Sequence, residues 1–304
     1  MKSHFSLSQP TQAQQAPPAR SATMRSHFSI NGGAAATCAL SGAVAMLTGV
    51  CSAQLAADYA TDPAYSGGWL AGQNGGYGFG PWSFNGGSGS PIQQRMTYGN
   101  SSPFNALGTA WTLFNPVGAP SDVANAGRSF APLQVGQTIE TVIDNPTATQ
   151  FYRGYTITLN DTADNIPAGG NTGQQVSAYT FEYFTNGRWY VGDSSGNHST
   201  SLFNTDTAPK GMQFAVTLTS PTTYQMTMTP LNNPANAYTI NGALKLPGNP
   251  IDWIQFQFYN TADNPAASTD FYISSIEILA APEPSTSALI ALGAGGLLFF
   301  CRRK

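Results

Sequence analysis

In 304 residues the chain carries 12 Lys+Arg and 15 Asp+Glu, a net charge of -3, and charged residues make up only 9%, against about a quarter in an ordinary soluble domain. That balance excludes a basic nucleic-acid binder, and 41% hydrophobic residues with 12% aromatics exclude a disordered acidic chain. The 32 Gly and 21 Pro follow no three-residue period, which excludes a collagen-like helix.

The chain opens on Met1-Lys2-Ser3-His4-Phe5-Ser6, echoed by Met24-Arg25-Ser26-His27-Phe28-Ser29, so starts at Met1 and at Met24 are both open. Ala34 to Val50 is an apolar run without a charge, preceded by Arg25 and followed by Cys51-Ser52-Ala53, which places small residues third and first before a cut after Ala53. This pattern predicts a leader, residues 1–53, ending in a signal peptide. Val50 stands where a lipoprotein box needs a small residue, so lipidation of Cys51 is not expected.

Residues 54–281 form the expected exported domain. Ser66 to Gly108 is rich in Gly, Asn and Ser and reads as loops packed on a fold or as an irregular entry segment. Beyond it the apolar period is two, not 3.6. Ala110 to Phe114 and Gln137 to Asp144 are candidate strands, followed by a row of Phe151, Tyr155, Ile157 and Leu159. A hairpin is expected between Tyr179 and Val191, because Asn186-Gly187 supports the positive backbone angles of a tight turn. Met212, Phe214, Val216 and Leu218 alternate with polar or small residues; Ser220-Pro221-Thr222-Thr223 turns the chain; and Tyr224, Met226 and Met228 alternate again. Ile254, Phe256 and Phe258 form another row, and Asp270 to Leu279 closes the series. No stretch of about a dozen residues carries a helical stripe. The pattern predicts an all-β fold, one antiparallel β-sandwich of jelly-roll type. Cys38, Cys51 and Cys301 all lie outside this domain, so packing alone must hold it.

Residues 282–304 form a third segment. Pro282-Glu283-Pro284-Ser285-Thr286 leads into an apolar run, Ala288 to Phe300, and the chain stops at Cys301-Arg302-Arg303-Lys304. Thirteen helical residues reach about 20 Å, short of a hydrocarbon core of about 30 Å, and the basic end favours the cytoplasmic side. With Pro282, Glu283, Pro284, Arg302, Arg303 and Lys304 in this order, the tail resembles the PEP-CTERM sorting signal of Gram-negative bacteria. The resemblance implies transient anchoring in the inner membrane, recognition and cutting near Pro282–Pro284 by an exosortase-type enzyme, and a cell-surface or extracellular destination in systems that make extracellular polysaccharide. The middle domain, with its aromatic sheets and closing Asp270-Phe271-Tyr272-Ile273 strand, is loosely similar to concanavalin A-like lectin and glucanase sandwiches, which implies sugar binding.

Catalytic chemistry finds few groups. Between residues 54 and 281 the one histidine is His198, in a Gly-Asn-Ser-rich stretch read as a loop. No HExxH, Gly-x-Ser-x-Gly, Cys nucleophile or phosphate loop occurs. A glycosidase needs two carboxylates about 5 to 9 Å apart. No acid-x-acid pair provides them along one strand, and Glu140 and Asp144, which share parity, stand about 13 Å apart, although pairing across strands with Glu182, Asp193 or Glu277 stays open. The domain holds 14 acidic and six basic residues, a difference of -8, which disfavours anionic polymers and fits neutral glycans or cations. Asp161, Asp164, Asp263 and Asp270, in and around two Thr-Ala-Asp-Asn loops, are candidate Ca2+ ligands, or turn formers only. Trp189 with Tyr190, and Trp253 with Tyr259, are candidate sugar platforms, or core residues. The leading expectation is a non-enzymatic surface or matrix protein associating with extracellular polysaccharide. A glycoside hydrolase or lyase on the same sandwich, and a structural coat protein without a soluble ligand, are the alternatives.

Overall fold

Alternation of apolar and polar residues divides the domain into two sheets with a shared interior. The structure, a computed structural model, describes residues 53–86, 93–97, 108–114, 122–144, 153–161, 174–181, 187–203, 210–260 and 271–281. Residues 1–52 of the expected leader and the tail expected at residues 282–304 therefore lie outside the described residues. In chain order the strands are β1 (Gln54–Tyr59), β2 (Ser83–Gly86), β3 (Gln93–Thr97), β4 (Ala110–Phe114) and β5 (Asp122–Ser129). β6 (Thr138–Asp144), β7 (Arg153–Asn160), β8 (Gln174–Phe181), β9 (Arg188–Asp193) and β10 (Gly196–Phe203) follow. The last are β11 (Met212–Ser220), β12 (Thr223–Pro230), β13 (Tyr238–Ala243), β14 (Trp253–Asn260) and β15 (Phe271–Leu279).

The first sheet runs β13-β12-β11-β6-β15-β4-β3, with β1 also paired to β15; the second runs β10-β9-β8-β7-β14-β5-β2. Every pairing is antiparallel. Successive strands β4, β5, β6 and β7 switch sheets, as do β13, β14 and β15, so β14 inserts between β5 and β7 while β15 inserts between β4 and β6. These crossings give the expected jelly-roll sandwich.

Phe214, Val216, Met226 and Met228 of the first sheet and Tyr155, Ile157, Leu159, Phe256 and Phe258 of the second share one buried core. Phe271 bridges the layers, with its ring 5.2 Å from Tyr155 and 6.2 Å from Phe256. The two strands of the predicted hairpin are present as β8 and β9, with Tyr179 opposite Tyr190, and Gly187 takes a positive φ of 72° just before β9, while Asn186 lies outside the described residues. Residues 196–203, read as a loop around His198, instead form β10. Its sequence is too polar to show a period, yet Thr200 and Leu202 are buried, and backbone pairing to β9 supplies the order.

The Gly-rich entry segment packs on the sandwich as far as Gly86. A buried ion pair between Asp58 on β1 and Arg128 on β5 fixes it in place, both side chains being fully inaccessible. The Arg128 guanidinium lies 4.9 Å from the ring centres of both Phe79 and Trp82 and donates to the Asn74 side chain and the Gly80 carbonyl. Tyr65 donates to Asp58 and accepts from Trp82 Nε1 (3.1 Å) and Gly75 N (2.9 Å). Burial pushes the Asp58 carboxyl up to about 6, against the opposing Arg128 charge and the hydrogen bonds from Tyr65 and Arg128. Trp69, Trp82 and Trp111 pack together in the same region, with ring centres 4.9 to 6.1 Å apart.

Candidate functional site

Strand parity gives the second sheet an outer face opposite to the core. One row across it reads Tyr190, Tyr179, Thr156, Gln257, Asn125, each directly opposite the next on β9, β8, β7, β14 and β5. The next row reads Gly192, Ser177, Thr158, Gln255, Gly127, and a third holds Asn160, Trp253 and Ser129. With strands about 4.8 Å apart and about 6.7 Å between like-facing residues, the rows cover about 19 by 13 Å. Among these rows there is no charged side chain, only hydroxyls, amides and aromatic rings. Arg188, on β9, turns aside to Phe203 of the edge strand β10, 4.9 Å from its ring centre, and donates to Ser199 Oγ at 3.1 Å.

Two aromatic features flank the polar rows. Tyr179 and Tyr190 stack, with centroids 5.8 Å apart and planes 20° from parallel. Burial, and then the neighbouring Tyr190, push the Tyr179 phenol above its ordinary value, so it stays a neutral donor at physiological pH. On the other flank half-buried Trp253 lies over Gly127, where a Cβ would come within 2.7 Å of its indole nitrogen. Only a residue without a side chain leaves room for the ring to lie on the sheet. Opposite Trp253, Asn160 is 1% exposed and neither its Oδ1 nor its Nδ2 has a partner. A buried amide left unpaired costs about 1–3 kcal/mol and calls for an explanation. By contrast, Gln255 Nε2 donates to Asn125 Oδ1 at 3.1 Å, so that pair is satisfied.

The sequence-predicted residues fall unevenly on this face. Trp253 and Tyr190 are on it. Trp189 is not: its ring is fully buried, facing the opposite sheet 5.1 Å from Phe214, because its parity is that of Val191 and the core. An indole enclosed in this way offers no face to a ligand, so Trp189 is corrected to a core residue. The Tyr259 side chain lies outside the described residues. Of the calcium candidates, Asp161 is buried directly after Asn160, whereas Asp164, Asp263 and Asp270 lie outside the described residues. Among the described residues, no three His, Cys, Asp or Glu side chains gather to hold a metal ion.

Two other titratable clusters compete for attention. On the outer face of the first sheet, Glu140 of β6 stands directly opposite Glu277 of β15, a cross-strand pairing that needed the register to be known. Gln213 donates to Glu140 and Gln54 to Glu277, each at 2.7 Å, and Gln54 Oε1 accepts from exposed Tyr77 at 3.0 Å. Burial raises the Glu140 carboxyl above its ordinary value; Gln213 pulls it down and the Glu277 charge pushes it further up.

The second cluster joins the sandwich edges. Asp193 Oδ1 accepts from Ser195 Oγ (2.7 Å) and Ser195 N (2.8 Å) and lies 3.0 Å from His198 Nε2, and Asp193 Oδ2 accepts from Tyr224 of the other sheet at 3.0 Å. Burial pushes this carboxyl up, but the hydrogen bonds from Ser195, His198 and Tyr224 outweigh it and hold it below the ordinary value. Ser195 Oγ and Asp193 Oδ1 meet the same His198 nitrogen, at 2.9 and 3.0 Å. A proton relay needs the acid and the hydroxyl on opposite ring nitrogens, so this trio is a turn and a cross-sheet tie.

Residues 280–304 match the PEP-CTERM protein-sorting motif. No curated protein matches the sequence. Among solved structures, a legume lectin-like domain from Entamoeba histolytica is similar at TM-score 0.43 and 9% identity, covering 66% of this chain and 89% of that one. Lectin II from Ulex europaeus is similar at TM-score 0.40 and 11% identity, covering 75% and 99%. The exoplasmic/lumenal domain of VIP36, in a Ca2+/Man3GlcNAc-bound form, is similar at TM-score 0.39 and 11% identity, covering 65% and 85%. No described helix is long and apolar enough to cross a membrane.

Proposed function

We propose that this is an exported, non-enzymatic surface or matrix protein, sorted through its PEP-CTERM tail by an exosortase-type enzyme, whose second sheet binds a neutral extracellular polysaccharide. The observation that carries the binding reading is the uncharged outer face of hydroxyl and amide groups lying between the stacked Tyr179–Tyr190 pair and half-buried Trp253. Sugar hydroxyls exchange hydrogen bonds with such hydroxyl and amide groups, and the less polar faces of sugar rings stack on indole and phenol rings. The absence of charge in the rows suits a neutral chain, since buried unpaired charge would oppose binding. The test is retention of the full chain on a panel of neutral and anionic polysaccharides, with Trp253→Ala and Tyr179→Ala as variants. Retention on neutral polymers that falls about tenfold or more in Trp253→Ala supports the proposal; equal retention of all three proteins refutes it.

A second reading rests on Glu140 and Glu277. Directly opposed residues have Cβ atoms about 4.5–5.5 Å apart, which lets the carboxyl groups meet the spacing of a glycosidase pair. The raised Glu140 would then be the acid. New reducing ends on incubation with a polysaccharide, abolished in Glu140→Gln, would favour hydrolysis over binding alone.

A further inference from the structure

Ala281 is the last described residue, and it leaves the sandwich beside a built pocket. Its Cβ lies against Gly136, which has φ +87° and where a Cβ would come within 2.8 Å of Ala281 Cβ. Gly136 belongs to a turn fastened at both ends: Gly136 N donates to Leu218 O (2.7 Å), Leu218 N donates to Gln137 O (3.1 Å), and Leu133 N donates to Ile251 O (2.8 Å). Beneath this turn is a pocket of about 310 Å³, lined among others by Pro132, Leu133, Val135, Leu218, Leu244 and Pro250. Val135, at its rim and next to Gly136, is 50% exposed.

We infer that this pocket is the docking site of the sorting motif itself, Pro282-Glu283-Pro284. The inference rests on the reading of residues 282–304 as a sorting segment and adds where that segment sits before it is cut. Three facts choose this occupant. The first is reach: an extended proline-type segment advances about 3.1 Å per residue, so Pro282 to Pro284 covers about 9 Å from Ala281, and Val135 is the immediate neighbour of the glycine that Ala281 touches.

The second is shape. Pro282 and Pro284 fix their own φ and bias Ala281 and Glu283 to extended backbone, so the segment is stiff before it docks. Little conformational entropy is then lost on docking, the advantage of a stiff, preformed proline segment. The pocket provides Pro and Leu walls, with the amide side chains of Gln134 and Asn249 as its polar members to face Glu283.

The third is exclusion of the other chain end. Ala280 N donates to Ala53 O at 2.7 Å, so the leader departs nearby. However, β1 and β6 lie on opposite sides of β15, and the pocket turn leads into β6. The continuation of β15 is therefore nearer to the pocket than the segment preceding β1. A docked motif keeps the pocket end of the sandwich toward the membrane, since Ser285 to Ser287 alone separate it from the apolar run. It also shelters the motif, so cutting requires its release.

The test uses the full chain in detergent micelles with labelled Ile, Leu and Val methyls and with Cys38, Cys51 and Cys301 changed to Ser. Nuclear Overhauser contacts, which report only atoms in direct contact, are expected from the Pro282 and Pro284 ring protons to methyls of Leu133, Val135 and Leu218, and Val135→Asp is expected to abolish them. Absence of such contacts in the unchanged chain would overturn the docking proposal. So would contacts that depend on protein concentration, which mark a second copy, or contacts to the same methyls from Ser52 rather than from residues 282–284, which mark the leader. None of these outcomes bears on whether the tail directs sorting, which fractionation reads independently.

Discussion

Replacing Asp58 by asparagine tests the physical account of the entry segment through the pH dependence of stability. The Asp58 carboxyl is fully inaccessible, with Oδ2 held by Arg128 and Tyr65 and Oδ1 without a partner. Its desolvation outweighs the attraction of Arg128 and lifts its folded pKa to about 6 from 3.8. The folded state thus holds a proton that the unfolded chain has released between those values, and stability from this group rises as pH falls from about 6 to about 4. At 1.36 kcal/mol per unit the gain is about 3 kcal/mol. An asparagine amide is permanently neutral and can place its carbonyl where Oδ2 sits, so Asp58→Asn should keep most of the stability at pH 7 and lose this slope. The assay is urea unfolding of native and variant full chains across pH 4 to 8, read as the difference between them. That difference removes groups common to both, including Asp193, which is held low and opposes the trend. A parallel pH dependence in the two proteins would refute the reasoning. So would a loss of about 3–5 kcal/mol at pH 7, the signature of a buried cation left without an indispensable partner.

Gly127→Ala should force the Trp253 indole off the sheet, shifting its fluorescence and costing about 1–3 kcal/mol of stability, as overpacking does; an unchanged spectrum would mean that the ring does not lie where it is placed. Tyr224→Phe removes one donor to the buried Asp193 carboxylate and should cost about 2 kcal/mol in denaturant unfolding; a neutral outcome would remove the cross-sheet tie from the account. Deleting residues 282–304 should change the compartment in which the protein is recovered while leaving its β-rich circular dichroism intact; unchanged fractionation would contradict the sorting role.

Much of the sandwich was legible because its core strands obey period two. Met212 to Leu218 and Tyr224 to Met228 read as a hairpin and form one, and the row Ile254, Phe256, Phe258 faces the core as its alternation requires. The strands that escaped notice bury small or polar residues. β1 sends Ala56 and Asp58 inward, β5 sends Ala124, Ala126 and Arg128, and β10 is paired by its backbone with few apolar side chains. Arg128 could not be placed from its own sequence, since its ion partner lies 70 residues away and the aromatic rings that enclose it sit on the Gly-rich segment.

The outer face of the second sheet was half legible. Trp253 with Gln255 and Gln257 follows from parity along β14, and the same parity, applied to β9, separates Tyr190 from Trp189. Asn160 was not distinguishable from any strand-ending Asn until the structure left its amide without partners. The opposition of Glu140 and Glu277 likewise depends on the register of two strands far apart in sequence.

The central claim, that an uncharged face of the second sheet binds a neutral glycan, is tested most directly by calorimetric titration of the full chain with a retained neutral polysaccharide at low and high salt. The account predicts an affinity insensitive to salt, because no exposed ion pair forms, and weakened about tenfold or more by either Tyr179→Ala or Trp253→Ala in a folded protein. An affinity unaffected by both substitutions, or one that appears only with anionic polymers and falls steeply with salt, would contradict it.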